Sequence, residues 1–159
     1  MKLLYYLLIV MVLFSSCQED KNSIIFDENY GEGMYIVTDI GISFYNYKDP
    51  LAQVQNQIFK TVNNITINNP KKIKFQGTKA YILADNYIST TNVKTFEHKE
   101  DINGFSNPVD IDFISNNRIF VLDSGDSKVK IVDMTSLDIT TQIETGDDTK
   151  PAFIISNSY

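Results

Sequence analysis

The chain is predicted to be all-β: about three four-stranded antiparallel β-propeller blades, part of a ring, behind a signal peptide. Three observations carry this reading. A block of ~40 residues recurs along the chain. Each full copy holds four short segments rich in Ile, Val, Tyr, Phe and Thr, the residues that favour strands. The second segment of each full copy, Ala80-Tyr81-Ile82-Leu83-Ala84 or Ile119-Phe120-Val121-Leu122, is continuously apolar, the pattern of a strand buried on both faces. Four short strands every ~40 residues is the arithmetic of a propeller blade, and a sheet held between two neighbouring blades has no wet face.

Residues 1–16 read as a lipoprotein signal peptide. Lys2 is followed by an apolar run from Leu3 to Phe14, then by Ser15, Ser16 and the chain's one cysteine, Cys17. Leu13-Phe14-Ser15-Ser16-Cys17 resembles a bacterial lipobox, with Phe14 in place of the usual small or aliphatic residue. The apolar run is too short for a ~30 Å hydrocarbon core. Cleavage before Cys17 and its lipidation are therefore expected, with the mature protein outside the cytoplasm and held to the membrane by its lipid anchor. Lipidation also consumes the only thiol, so no disulfide or cysteine metal site is expected.

Residues 17–32 read as the lipidated tether, with Ile24-Ile25-Phe26 its one apolar patch and a candidate edge strand. Gln18-Glu19-Asp20 resembles the acidic export signal that follows the lipidated cysteine in Bacteroidota-type lipoproteins. The expected location is the outer membrane, on the cell surface, with a periplasm-facing domain as the alternative.

Residues 33–159 read as a partial propeller, with blades at about 33–62, 69–102 and 107–145 and the start of another at 150–159. Asn69-Pro70-Lys71-Lys72-Ile73-Lys74-Phe75 matches Asn107-Pro108-Val109-Asp110-Ile111-Asp112-Phe113, and Lys150-Pro151 with Ile154 opens a further copy. The first copy lacks the Pro-containing strand. It offers Met34–Val37, Ile42–Tyr45 and Gln57-Ile58-Phe59-Lys60 as strands. In the third, the strands are Val109–Phe113, Arg118–Asp123, Lys128–Asp133 and Ile139–Glu144. No amphipathic helix is expected: Ile139, Thr141 and Ile143 alternate with period 2. The segment from Asp123 to Lys128 is predicted to be a hairpin turn with Gly125 at positive φ. Its two acids also suggest a Ca²⁺ loop, but no EF-hand ligand spacing follows.

Several of these segments resemble one family. Gly33-Met34-Tyr35-Ile36-Val37 followed by Gly41-Ile42-Ser43-Phe44-Tyr45-Asn46 resembles the first blade of YncE-like propeller lipoproteins. Lys79-Ala80-Tyr81-Ile82 and Val129-Lys130-Ile131-Val132-Asp133 are similar to that family's repeating strands. The resemblance implies a surface or periplasmic propeller, and some members capture vitamin B12-type corrinoids for an outer-membrane transporter. It also implies about seven blades, within the range of closed rings. Against that number, a truncated gene or an incompletely assembled longer protein is expected. A split propeller, completed by another chain or by self-association, is the other reading.

The composition narrows the function. With 14 Lys and Arg against 20 Asp and Glu, the net charge is −6, and the basic residues form no stripe. Nucleic acid is not an expected partner. His98 is the single histidine, placed in a polar outer strand, and there is no G-x-S-x-G elbow and no phosphate-cradling glycine loop. No metal site or cofactor is expected, and catalysis finds little support. Asp110 and Asp112 share one face of a first strand, where the previous copy has Lys72 and Lys74. First strands of blades lie nearest the ring axis, so these four charges are the candidate channel lining, placed to attract one another. Tyr30, Tyr47 and Tyr87 fall in or near predicted loops, where binding residues concentrate, with ordinary packing against those loops as the commoner role of such residues. The expected function is a membrane-anchored binding or scaffold module, with ligand capture for a transporter as its specific form. A propeller lyase or hydrolase and a non-functional fragment are the alternatives.

Overall fold

In the computed structural model, which describes residues 30–146 and 149–155, short strands separated by tight turns account for most of the described backbone. The signal peptide, Cys17 and Ile24-Ile25-Phe26 lie outside the described residues. The elements are β1 (Met34–Thr38), β2 (Gly41–Tyr45), helix α1 (Ile58–Asn63), β3 (Lys72–Gln76), β4 (Lys79–Leu83), β5 (Ile88–Asn92) and β6 (His98–Ile102). They continue with β7 (Pro108–Ser115), β8 (Arg118–Asp123), β9 (Lys128–Asp133) and β10 (Ile139–Glu144). Two antiparallel four-stranded meanders result, β3-β4-β5-β6 and β7-β8-β9-β10, beside a two-stranded sheet, β1-β2. These are propeller blades.

β4 shows why its sequence is continuously apolar. Successive side chains of a strand point to opposite faces. Ala80, Ile82 and Ala84 enter one core with Ile42, Phe44, Ile58, Phe59 and Phe96. Tyr81 and Leu83 enter a second core with Ile111, Ile119, Val121 and Val132. The first core joins the hairpin β1-β2 to the middle blade, and the second joins the middle blade to the last. The middle sheet is thus apolar on both sides because each side is an interface.

The turns between third and fourth blade strands repeat a single device. Asn92 Oδ1 accepts the N–H groups of Lys94 (2.8 Å) and Thr95 (3.2 Å), and Asp133 Oδ1 accepts those of Thr135 (2.7 Å) and Ser136 (3.3 Å). Each turn ends on an apolar residue in left-handed conformation, Phe96 (φ 59°) or Leu137 (φ 63°). Phe96 is buried in the first core and Leu137 packs against the second.

Two expectations are corrected. Gln57-Ile58-Phe59-Lys60 does not form a strand but begins α1. Ile58 and Phe59 are adjacent and both buried; a strand would send them to opposite faces, whereas a helical turn lets both reach one core. Asn63 fastens this turn across the blade boundary. Its Nδ2 donates to the carbonyls of Phe59 (2.9 Å) and Phe96 (3.1 Å), and its Oδ1 accepts the His98 N–H (2.8 Å). Gly125 does not supply positive φ in the β8-β9 hairpin; Ser127 does, at φ 59°. Gly125 is required instead by close approach: a Cβ there would lie 2.6 Å from Ser106 Cβ and 2.9 Å from the Asn107 nitrogen.

Candidate functional site

β3 and β7 are the first strands of their blades and the edges of their sheets. They lie side by side, and the charges predicted for them meet. Lys72 Nζ is 2.9 Å and Lys74 Nζ 3.2 Å from Asp110 Oδ1. Lys74 also donates to the Ile111 carbonyl at 2.6 Å. Asp110 Oδ1 accepts its neighbour's N–H, from Ile111, at 2.8 Å. Asp110 Oδ2 accepts the N–H of Ile154 at 3.1 Å. One carboxylate therefore joins the middle blade, the last blade and the segment that opens the next copy.

The electrostatics follow from this arrangement. Burial alone would raise the Asp110 pKa, since its side chain is 4% exposed. The Lys72 hydrogen bond, the Ile154 and Ile111 N–H groups and the Lys74 hydrogen bond outweigh that, and Asp110 is held below the ordinary carboxylate value. Lys72 and Lys74 keep 35% and 32% of their side chains accessible, so the cluster is buried on its acidic side and open on its basic side. Asp112 Oδ1 accepts the Phe113 N–H at 3.0 Å.

The three tyrosines stand in different surroundings. Tyr30 is corrected: it is buried in the first core, 5.3 Å edge-on from Phe44 and 5.8 Å from Phe96, so its ring is packing and not a loop platform. Burial of a large aromatic ring outweighs its place beside the tether. Tyr87 packs half-buried against that core, its hydroxyl accepting the Asn68 N–H at 3.4 Å. Tyr47 is exposed and donates to Glu32 Oε1 at 3.4 Å. His98 is half-buried, with Nε2 3.0 Å from Asp101 Oδ1 and its ring edge-on to Phe59.

A second polar centre escaped sequence reasoning. Lys130 is buried on β9, and its ammonium sits 2.7 Å from Asp123 Oδ2, 2.8 Å from Asp126 Oδ2 and 3.0 Å from the Gly104 carbonyl. The Phe105 ring lies 5.6 Å from it. Asp123 also accepts the N–H groups of Ser106 (2.7 Å), Asn107 (2.7 Å) and Gly125 (3.1 Å). Burial alone would raise Asp123 and lower Lys130, but the ion pair and these hydrogen bonds reverse both directions. The acids of this hairpin thus have a cation of the chain's own, and they clamp the linker 104–107 that joins two blades. Among the described residues, no group of three or more His, Cys, Asp or Glu is placed to hold a metal ion. The described residues also contain no helix long and apolar enough to cross a membrane.

Solved structures that resemble this chain include two propeller-type proteins. One is a quinoprotein alcohol dehydrogenase-like protein from Bacteroides thetaiotaomicron, with TM-score 0.57 and 17% identity over 69% of this chain and 28% of that one. The other is the Pan2 WD40 domain of Neurospora crassa, with TM-score 0.58 and 12% identity over 79% of this chain and 38% of that one. The chain has a β-propeller fold. It spans well under half the length of either structure it resembles, and at these identities the likeness carries the fold alone. No family model matches the chain, and neither does any curated protein.

Proposed function

We propose that this chain is a lipid-anchored propeller module, held through Cys17 at the outer membrane and serving in binding rather than catalysis. The observation that supports binding is the inner-strand cluster. Asp110 is committed to Lys72, Lys74 and the Ile154 N–H, while both lysines keep an accessible side, so the cluster offers donors and positive charge rather than a free acid–base pair. Propeller sites of this kind lie where first strands converge on the axis. Tyr47, exposed near Glu32, is the tyrosine of the rim available to a ligand or to a transporter partner. The YncE-like resemblance makes a corrinoid the first ligand to try.

Two measurements test the two halves of this reading. Radiolabelled palmitate should be incorporated in cells, and Cys17→Ser should abolish it; equal labelling of the variant would remove the anchor. Cyanocobalamin should bind the purified chain with micromolar affinity, weakened at least tenfold in Lys72→Gln/Lys74→Gln. Binding absent at millimolar cyanocobalamin, or unchanged in the variant, would remove corrinoid capture at this cluster.

A further inference from the structure

Asn103-Gly104 is the one Asn-Gly pair in the chain, and it lies in the linker that joins the middle blade to the last. An asparagine side-chain carbonyl and the backbone nitrogen that follows it are placed to close a cyclic imide. In most pairs the side chain of the second residue obstructs that closure, and glycine has none. Both residues are exposed. The Asn103 amide is barely held: its Nδ2 reaches only the Asp101 carbonyl, at 3.5 Å. The Gly104 N–H meets no acceptor among the described residues. Other asparagines are tied down. Asn63 bonds through both ends of its amide, and so does Asn107, to Lys71 and Ser124; Val93 or Pro108 follows where Asn92 or Asn107 precedes.

The glycine is fixed by its other contacts. Ile102 and Phe105 flank the pair, and both are buried in the second core. The Gly104 carbonyl accepts from the Lys130 ammonium at 3.0 Å. With Asp123 and Asp126 it completes the three bonds that a lysine can donate. A Cβ on Gly104 would lie 2.9 Å from Ile139 Cδ1, and its φ of 97° is one that side chains disfavour. The joint between the blades therefore requires the very residue that leaves Asn103 open to attack.

We propose that Asn103 is a self-modification site, converted to aspartate and isoaspartate through the Gly104 nitrogen, and that this conversion loosens the joint between the middle and last blades. Hydroxide takes the Gly104 amide proton. The nitrogen bonds to Asn103 Cγ, the Cγ–Nδ2 bond breaks, and Nδ2 leaves as ammonia with a proton from water. Water then opens the imide. Addition at Cγ restores the ordinary main chain with an aspartate side chain. Addition at the main-chain carbonyl carbon leaves the chain running through Cβ and Cγ, as isoaspartate. The sum is one water consumed and one ammonia released, with no oxidant or reductant.

Either product adds a carboxylate to a linker whose buried lysine already has two. Isoaspartate also lengthens the main chain between Ile102 and Phe105, whose side chains are fixed in the core. The Gly104 carbonyl is then displaced from Lys130, and a buried ammonium donor loses its acceptor.

The test ages the folded full-length chain, carrying Cys17→Ser, in mildly alkaline buffer. Peptide mass spectrometry should find conversion at Asn103 at least tenfold faster than at any other asparagine between residues 30 and 146. The rate should rise in proportion to hydroxide, and isoaspartyl methyltransferase should label the product. The aged chain should unfold at lower urea than the fresh one. Asn103→Gln, whose longer side chain closes the corresponding ring far more slowly, should keep its urea midpoint with age. Asn103 intact in the folded chain, while the same chain in urea converts, would overturn the proposal, because the fold would be holding the pair out of reach. So would conversion with an unchanged midpoint, or an equal age-dependent loss in Asn103→Gln.

Discussion

Lys130 Nζ lies 2.7 Å from Asp123 Oδ2, with 5% of the lysine side chain and none of the aspartate accessible to solvent. The two residues occupy successive strands of one hairpin, and both reach the linker from the preceding blade, Lys130 through the Gly104 carbonyl and Asp123 through the Ser106 and Asn107 N–H groups. Removing one member of a buried ion pair strands the other, at a cost of about 3–5 kcal/mol. Lys130→Met should therefore lower the unfolding free energy by that amount in urea titration. A loss under about 1 kcal/mol, the range of surface pairs, would show the pair to be inessential.

Acid should unfold the protein through two carboxylates. Asp110 and Asp123 are both held below their ordinary value of 3.8 despite burial. The unfolded chain then binds protons more readily, so the stability these groups contribute is present above pH 3.8 and lost as pH falls through their lower folded values. The urea midpoint should drop as pH falls below 3.8. Asp110→Asn should flatten that slope, and an unchanged profile would rule out Asp110 as a source of acid sensitivity.

Gly125→Ala should cost about 1–3 kcal/mol, the usual penalty of overpacking, because Ser106 Cβ and the Asn107 nitrogen crowd the new methyl. Asn, which relieves left-handed positions, should do no better than Ala here. A rescue by Asn would mean that backbone conformation and not contact dictates the glycine.

Ile82→Ala and Leu83→Ala are neighbours in sequence that open cavities in different cores, each at about 2–5 kcal/mol. Native-state hydrogen exchange should place the loosened amides of the first variant around β2 and α1, and those of the second around β7 and β8. Identical exchange patterns would mean that the two cores unfold as a single unit.

The last blade was legible almost to the residue, because β8, β9 and β10 combine unbroken apolar or alternating runs with turn formers at both ends. The meeting of Lys72 and Lys74 with Asp110 was legible too, since the repeat places them at equivalent positions on adjacent first strands. α1 was not: six residues are too few to display a helical period, and Ile58-Phe59 reads equally well as strand. Lys130 was hidden by the ordinary rule that lysines stay wet. Only its pairing opposite the buried Val121 reveals it, and that register is a property of the folded sheet. Tyr30 read as tether because the aromatic partners that enclose it, Phe44 and Phe96, come from two separate hairpins.

β4 gives its odd-numbered side chains to one neighbour and its even-numbered ones to the other, and that has an evolutionary consequence. Each sheet recognises only the sheets flanking it, so stability accumulates unit by unit, as in a row of coupled magnets. A duplicated unit inherits both of its contact surfaces ready-made. A repeat built this way can lengthen or shorten by whole units, since a substitution on one side of a boundary meets only the single sheet that faces it.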